Sequence, residues 1–88
     1  MTEISFDERR KTRLANQEKN KRENLIVLRN ANIPFKEVRS GWYKIFSFSY
    51  SYVEFNPSTY EFNWTTMTGK KHIKAVNVME QLAVLGCA

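Results

Sequence analysis

The stretch SFSYSYVEFNPSTYEFNW, residues 47–64, decides the fold. It holds seven of the chain's twelve aromatic side chains in eighteen positions and sets Ser, Glu and Asn between them. Phe48, Tyr50 and Tyr52 fall on even positions, whereas Val53 and Phe55 are odd. The side-chain period of a strand is two, so the register flips after Tyr52, and a turn or bulge near residues 50–52 accounts for the flip. NPST carries an Asn-Pro turn signal. Beyond it Tyr60, Phe62 and Trp64 share one face, with Glu61, Asn63 and Thr65 on the other. YVEF and YEFNWT therefore read as consecutive antiparallel strands.

Upstream, WYKIFSF (residues 42–48) reads as another strand, and FKEVR (35–39) alternates before the turn signal Ser40-Gly41. Val53, Phe55, Phe62 and Trp64, joined by Tyr43 and Ile45, are assigned to the core face. Trp42, Lys44, Phe46 and Phe48 then lie on the uncovered face. That stripe suits either base stacking on aromatic rings or a protein-binding patch, and a dimer partner would cover it equally well.

Further upstream, NLIVLRNAN places Leu25, Leu28 and Ala31 at helical spacing, with Ile26 and Val27 widening the stripe, before Pro34. SFDE has Ser5 at a plausible N-cap with Glu8 three positions on. Between Asp7 and Glu23 the only apolar side chains are Leu14 and Ala15. This part is either a projecting helix or a partly disordered arm. Downstream, TGKKH is expected to open a last helix, residues 70–85, with Ala75, Val78, Met79, Leu82 and Leu85 as its stripe and Gly86 as its stop. The expected fold is α+β: an N-terminal helix, a three- to four-stranded antiparallel meander, and a C-terminal helix packed on one sheet face. With 88 residues the chain is expected to form a single domain, a charged segment 1–23 leading into a compact core 24–88.

Fourteen Lys and Arg against nine Asp and Glu give a net charge of +5, which favours an anionic partner: nucleic acid or an acidic protein surface. The single Cys87 excludes an intrachain disulfide and is read as an incidental exposed thiol. No apolar run is long enough to span a bilayer, and MTEISFDERR lacks the apolar segment of a signal peptide, so a cytoplasmic protein is expected. One His, one Cys and scattered acids offer no nucleophile pair, phosphate loop or metal motif. Glu37, Glu54 and Glu61 are read as solvated strand faces. A non-enzymatic protein without cofactor or metal is expected.

The sharpest local signal is TGKKHIK, residues 68–74. At a helix N-terminus Lys70 and Lys71 oppose the positive end of the dipole at about 0.3–1 kcal/mol each, and a phosphate would reverse that sign. Lys70, Lys71 and Lys74 are thus candidate phosphate contacts; the alternative is plain solvation. Arg9, Arg10, Arg13, Lys21 and Arg22 would add to such an interface. Against this, Glu18–Arg22 and Glu8–Lys11 have the spacing of helix ion pairs and would neutralise part of the arm. His72 reads as a surface residue that could reach a phosphate.

Two resemblances follow. GKKHIKAVNVMEQLAVLG resembles the end of a double-stranded-RNA-binding domain, in which Lys-Lys-x-Ala-Lys opens the last helix and its lysines grip phosphates across the major groove. Lys70, Lys71 and Lys74 match those lysines, and Ile73 replaces the alanine. That family's Gly-Pro-x-His loop is missing here. Over residues 17–85, NQEKNKRENLIVLRNANIPF, then VEFNPST, Trp64 and TGKK, is similar to small proteins of tailed phages and prophages. Tyr60 stands where that pattern often has Gly. The resemblance implies a mobile-element accessory protein in bacterial cytoplasm and implies no activity. Two functions stay open: nucleic-acid binding through the lysines, or modulation of a host protein through the face of Trp42, Lys44 and Phe46.

Overall fold

The computed structural model describes residues 6–87, with side-chain surroundings from Arg10 onward. The expected N-cap Ser5 and the Glu8 side chain lie outside the described residues. The chain runs α1 (Phe6–Asn30), β1 (Phe35–Arg39), β2 (Trp42–Ile45), β3 (Val53–Asn56), β4 (Glu61–Thr66), β5 (Gly69–Lys74) and α2 (Val78–Val84). The α+β expectation holds. The sheet is a five-stranded antiparallel meander in sequential order, one or two strands larger than expected.

The added strand is GKKHIK. A two-residue turn, Met67-Thr68, closes a β4–β5 hairpin in which Phe62 lies opposite Ile73, Asn63 opposite His72 and Trp64 opposite Lys71. The last helix therefore begins at Val78 rather than Lys70, capped by the Asn77 side chain, which accepts from the Glu80 N–H at 3.2 Å. The hairpin ladder pairs one side of residues 69–74 with β4 and covers what would otherwise be β4's own free edge, so pairing prevails over a helix extension rich in lysine.

The core lies on one sheet face. Val53, Phe55, Phe62 and Ile45 are buried there with Tyr43, and the Phe55 and Phe62 rings stack at 4.4 Å. Trp64 packs against them half-buried. Leu28 of α1 and Val78, Leu82 and Leu85 of α2 complete the cluster. This agrees with the core face read from the alternation.

Both helices end in the same way. At α1, Asn32 has φ 56°, the Ile33 N–H reaches the Leu28 carbonyl and the Asn32 N–H reaches the Arg29 carbonyl, both at 3.0 Å. At α2, Gly86 has φ 74°, the Cys87 N–H reaches Leu82 and the Gly86 N–H reaches Ala83. Each is a Schellman motif, and each joins two buried side chains, Leu28 with Ile33 and Leu82 with Cys87. Cys87 is thus buried, contrary to its reading as an exposed thiol. Burial pushes its pKa up to about 11, with a hydrogen bond involving Ser47 opposing, so it is an inert thiol at neutral pH.

The register flip foreseen near residues 50–52 is a connection spanning residues 46–52 that clasps the end of α2. Ser47 Oγ donates to the Leu85 carbonyl at 2.6 Å and accepts from the Ser49 and Tyr50 N–H groups. The Phe48 N–H reaches the Gly86 carbonyl at 2.9 Å.

Helix α1 docks by its second half, from Asn20 onward. Residues 10–16 are exposed throughout, and a 25-residue helix is about 38 Å long. The radius of gyration, 15.0 Å, exceeds the roughly 12 Å of a compact chain this size, with a longest extent of 51 Å. Of the two readings of the arm, the projecting helix describes residues 6–23. Glu18 and Arg22 form no ion pair; on an exposed helix the attraction is too weak to hold two long side chains together.

Gly86 supplies the test of the clasp. A Cβ there would lie 2.5 Å from Ser49 Oγ and 2.9 Å from Ser49 Cβ, at a φ that L-residues resist. Gly86→Ala should cost about 2–4 kcal/mol, seen as a lowered urea midpoint at unchanged slope. Adding Ser49→Gly should recover the packing part only.

Candidate functional site

Alternation across the sheet separates the residues singled out from the sequence. Lys36 lies opposite Lys44, Lys44 opposite Glu54, Glu54 opposite Asn63, and Asn63 opposite His72. This row crosses all five strands on the face turned away from the core. Lys70 and Lys74, two residues either side of His72, share that face. Lys71, opposite Trp64, belongs to the other.

The expected trio at a helix start is therefore not a cluster. Its members sit on an extended edge strand, about 13 Å from Lys70 to Lys74, and the helix-dipole reason for a phosphate there does not apply. The resemblance to the double-stranded-RNA-binding domain loses the helix that carried it. A lysine on an exposed edge also discourages pairing with another chain, a sufficient role for Lys71.

On α1, Arg10, Arg13 and Arg22 are exposed, and Lys21 is half-buried with Nζ 5.8 Å from the Tyr43 ring centroid, on the core side. Arg9 falls in the helix, its side chain outside the described residues. Arg13 lines a cavity together with Lys74, at the edge of the open face. Lys44 lies on that face, over the Tyr52 ring at 5.6 Å, and Trp42 lies half-buried beneath the Arg39 guanidinium at 4.7 Å. Phe46 is 54% exposed just beyond β2, edge-on to Phe48, itself 86% exposed.

The centre of the face was misjudged from the sequence. Glu54 is only 6% exposed, not a solvated strand residue. Its carboxylate accepts from Arg39 at 2.6 Å, Tyr52 Oη at 2.9 Å and Asn63 Nδ2 at 3.0 Å. Burial pushes its pKa up, but the hydrogen bonds from Asn63, Tyr52 and Arg39 and the Arg39 charge outweigh it, and the net shift is below the usual 4.5. Burial, followed by donation to Glu54 and that carboxylate's charge, raises Tyr52 above 10.0, with Arg39 opposing.

Asn63 passes the network on. With Nδ2 given to Glu54, its Oδ1 must accept from His72 Nδ1 at 2.6 Å, and His72 Nε2 stands 3.3 Å from Glu61. Glu61 is half-buried, so it too is not freely solvated. Glu54 is thus engaged by three donors, whereas Lys36, Lys44, Lys70 and Lys74 have no ion-pair partner among the described residues. A cavity of about 200 Å³ beside Glu54, lined by Arg39, Tyr52, Asn63 and Lys70, opens between them. Only the strand assignment of residues 69–74 could have revealed this face from sequence, through the i, i+2, i+4 spacing of Lys70, His72 and Lys74.

The network sets a pH dependence. A carboxylate whose pKa is lowered on folding stabilises the protein above its unfolded value and ceases to do so as pH falls through the folded one. Glu54→Gln should cost about 1–3 kcal/mol at pH 7 by removing a buried carboxylate that accepts from three donors, one of them charged. In urea melts that difference should narrow as pH drops below 4.5; a gap constant down to pH 3 would count against Glu54 as the titrating group.

No helix among the described residues is long and apolar enough to cross a membrane. No protein-family model, curated protein or solved structure matches the chain.

Proposed function

We propose that this is a small non-enzymatic binding protein, a phage or prophage accessory factor of the bacterial cytoplasm, that holds nucleic-acid phosphates on its open sheet face. One observation carries the reading: strand alternation gathers Lys36, Arg39, Lys44, Lys70 and Lys74 onto the face opposite the core, where the buried carboxylate, Glu54, is already engaged by three donors. Tyr52 and Trp42 interleave with these cations and add ring surface of the kind that stacks on bases. The rigid Glu54 network orients Arg39 and Tyr52, lowering the ordering cost of binding. Arg10, Arg13 and Arg22 on the projecting helix supply further, less organised, phosphate contacts.

If all five open-face cations meet phosphates, log affinity should fall with log salt at a slope of about −3.5 for a single strand or −4.5 for a duplex. Lys44→Glu, Lys70→Glu and Lys74→Glu together should abolish binding in fluorescence anisotropy. Lys71→Glu, on the other face, should change it little. Unchanged binding in the triple variant, or a Lys71 effect equal to that of Lys70, would overturn the reading.

A second reading rests on Phe46 and Phe48, an exposed aromatic pair beside Pro34 and Phe35. It is a docking point for a host protein or for a second copy of the chain. A defined host protein recovered after nuclease treatment and lost with Phe46→Ser would favour it, and a dimer at dilute concentration would favour self-association.

A further inference from the structure

A second cavity lies apart from the sheet face, between the projecting part of α1 and the β3–β4 turn. It encloses about 490 Å³, within the range of small-molecule clefts. Its helix side presents Arg13, Asn16 and Gln17, its turn side Thr59 and Tyr60, and Lys74 closes one end. Two hydrogen bonds fix the walls: Asn20 Nδ2 donates to the Ser58 carbonyl at 3.3 Å, and Tyr60 Oη donates to Asn20 Oδ1 at 3.4 Å. Asn24 anchors the same turn through the Pro57 carbonyl at 2.8 Å.

Three features indicate what the groove would take. Tyr60 holds φ 63°, a costly conformation for an aromatic residue, although it stands where glycine would be relaxed. That strain keeps its ring in the groove wall. Asn16 and Gln17 form no hydrogen bond within the described protein, so two amides, each a paired donor and acceptor, are available to a base edge. Thr59 Oγ1 is buried without a partner in the same wall. Arg13 and Lys74 bring positive charge from opposite sides, Arg13 in the forked geometry that suits phosphate.

We propose that this groove is a pocket for one unstacked nucleotide, its base against Tyr60 and the Asn16 and Gln17 amides and its phosphate between Arg13 and Lys74. Because Lys74 also belongs to the open face, the pocket extends that face, and the consequence for nucleic acid rests on the reading above: the protein selects single strands, whose bases can leave the stack, over duplex.

The probes are the four nucleoside 5′-monophosphates, inorganic phosphate, and one oligonucleotide as single strand and as duplex, all with the full chain. Monophosphates should shift the amide resonances of Asn16, Gln17, Thr59 and Tyr60 saturably, and inorganic phosphate should not. Asn16→Ala with Gln17→Ala, on the exposed and half-buried faces of α1, should remove that response and weaken single-strand binding about tenfold, leaving duplex binding unchanged. Equal shifts with inorganic phosphate would reduce the groove to an anion site and overturn the proposal. Absent shifts with equal affinity for single strand and duplex would overturn it too, with the open-face reading intact. Monophosphate shifts without any oligonucleotide binding would support the pocket and overturn the open-face reading.

Discussion

Strand β3 is buried on both of its faces, and every other element is placed by that constraint. Val53 and Phe55 point into the helices' core, and Glu54 between them points the other way and is equally hidden from water. A one-residue slip would put a carboxylate into the apolar core and two large apolar side chains among charges, so the register admits no alternative. Glu54 in turn holds Arg39 of β1, Tyr52 of the 46–52 connection and Asn63 of β4. Being satisfied by three donors, it makes the open face a rigid surface.

The helices are tied to this sheet at their ends more than along their lengths. Schellman motifs at Asn32 and Gly86 each fold a buried side chain back beneath the last turn. The 46–52 connection clasps α2 through Ser47 and Phe48. This economy leaves most of α1 free of the core. Its projecting part then makes the second wall of the groove beside the β3–β4 turn, so a feature that contributes little to the core helps to define a cavity.

Much of the core was legible in the alternation of residues 42–64, because a face buried against helices demands one apolar residue in two. Tyr60 was legible as a glycine-like position, and its φ of 63° gives the reason. GKKHIK was not legible as a strand. Its single apolar residue, Ile73, sits within reach of the helical stripe that follows, and only the short link of residues 75–77 divides the two. Glu54 was likewise misread, since a Glu in an alternating strand has the same pattern whether it faces water or three hydrogen-bond donors from residues 39, 52 and 63.

The sequence by itself determined the class of fold, the face that packs and the excess of positive charge, because periodicity and composition are local properties. The tertiary structure alone decided which cations stand together. Pairing β5 onto β4 sent Lys70 and Lys74 to the face that also carries Lys36, Arg39 and Lys44, sent Lys71 to the other, and set Lys74 across from Arg13. Those neighbours are up to 61 positions apart between Arg13 and Lys74, and no local pattern encodes a contact made by strand register and helix docking.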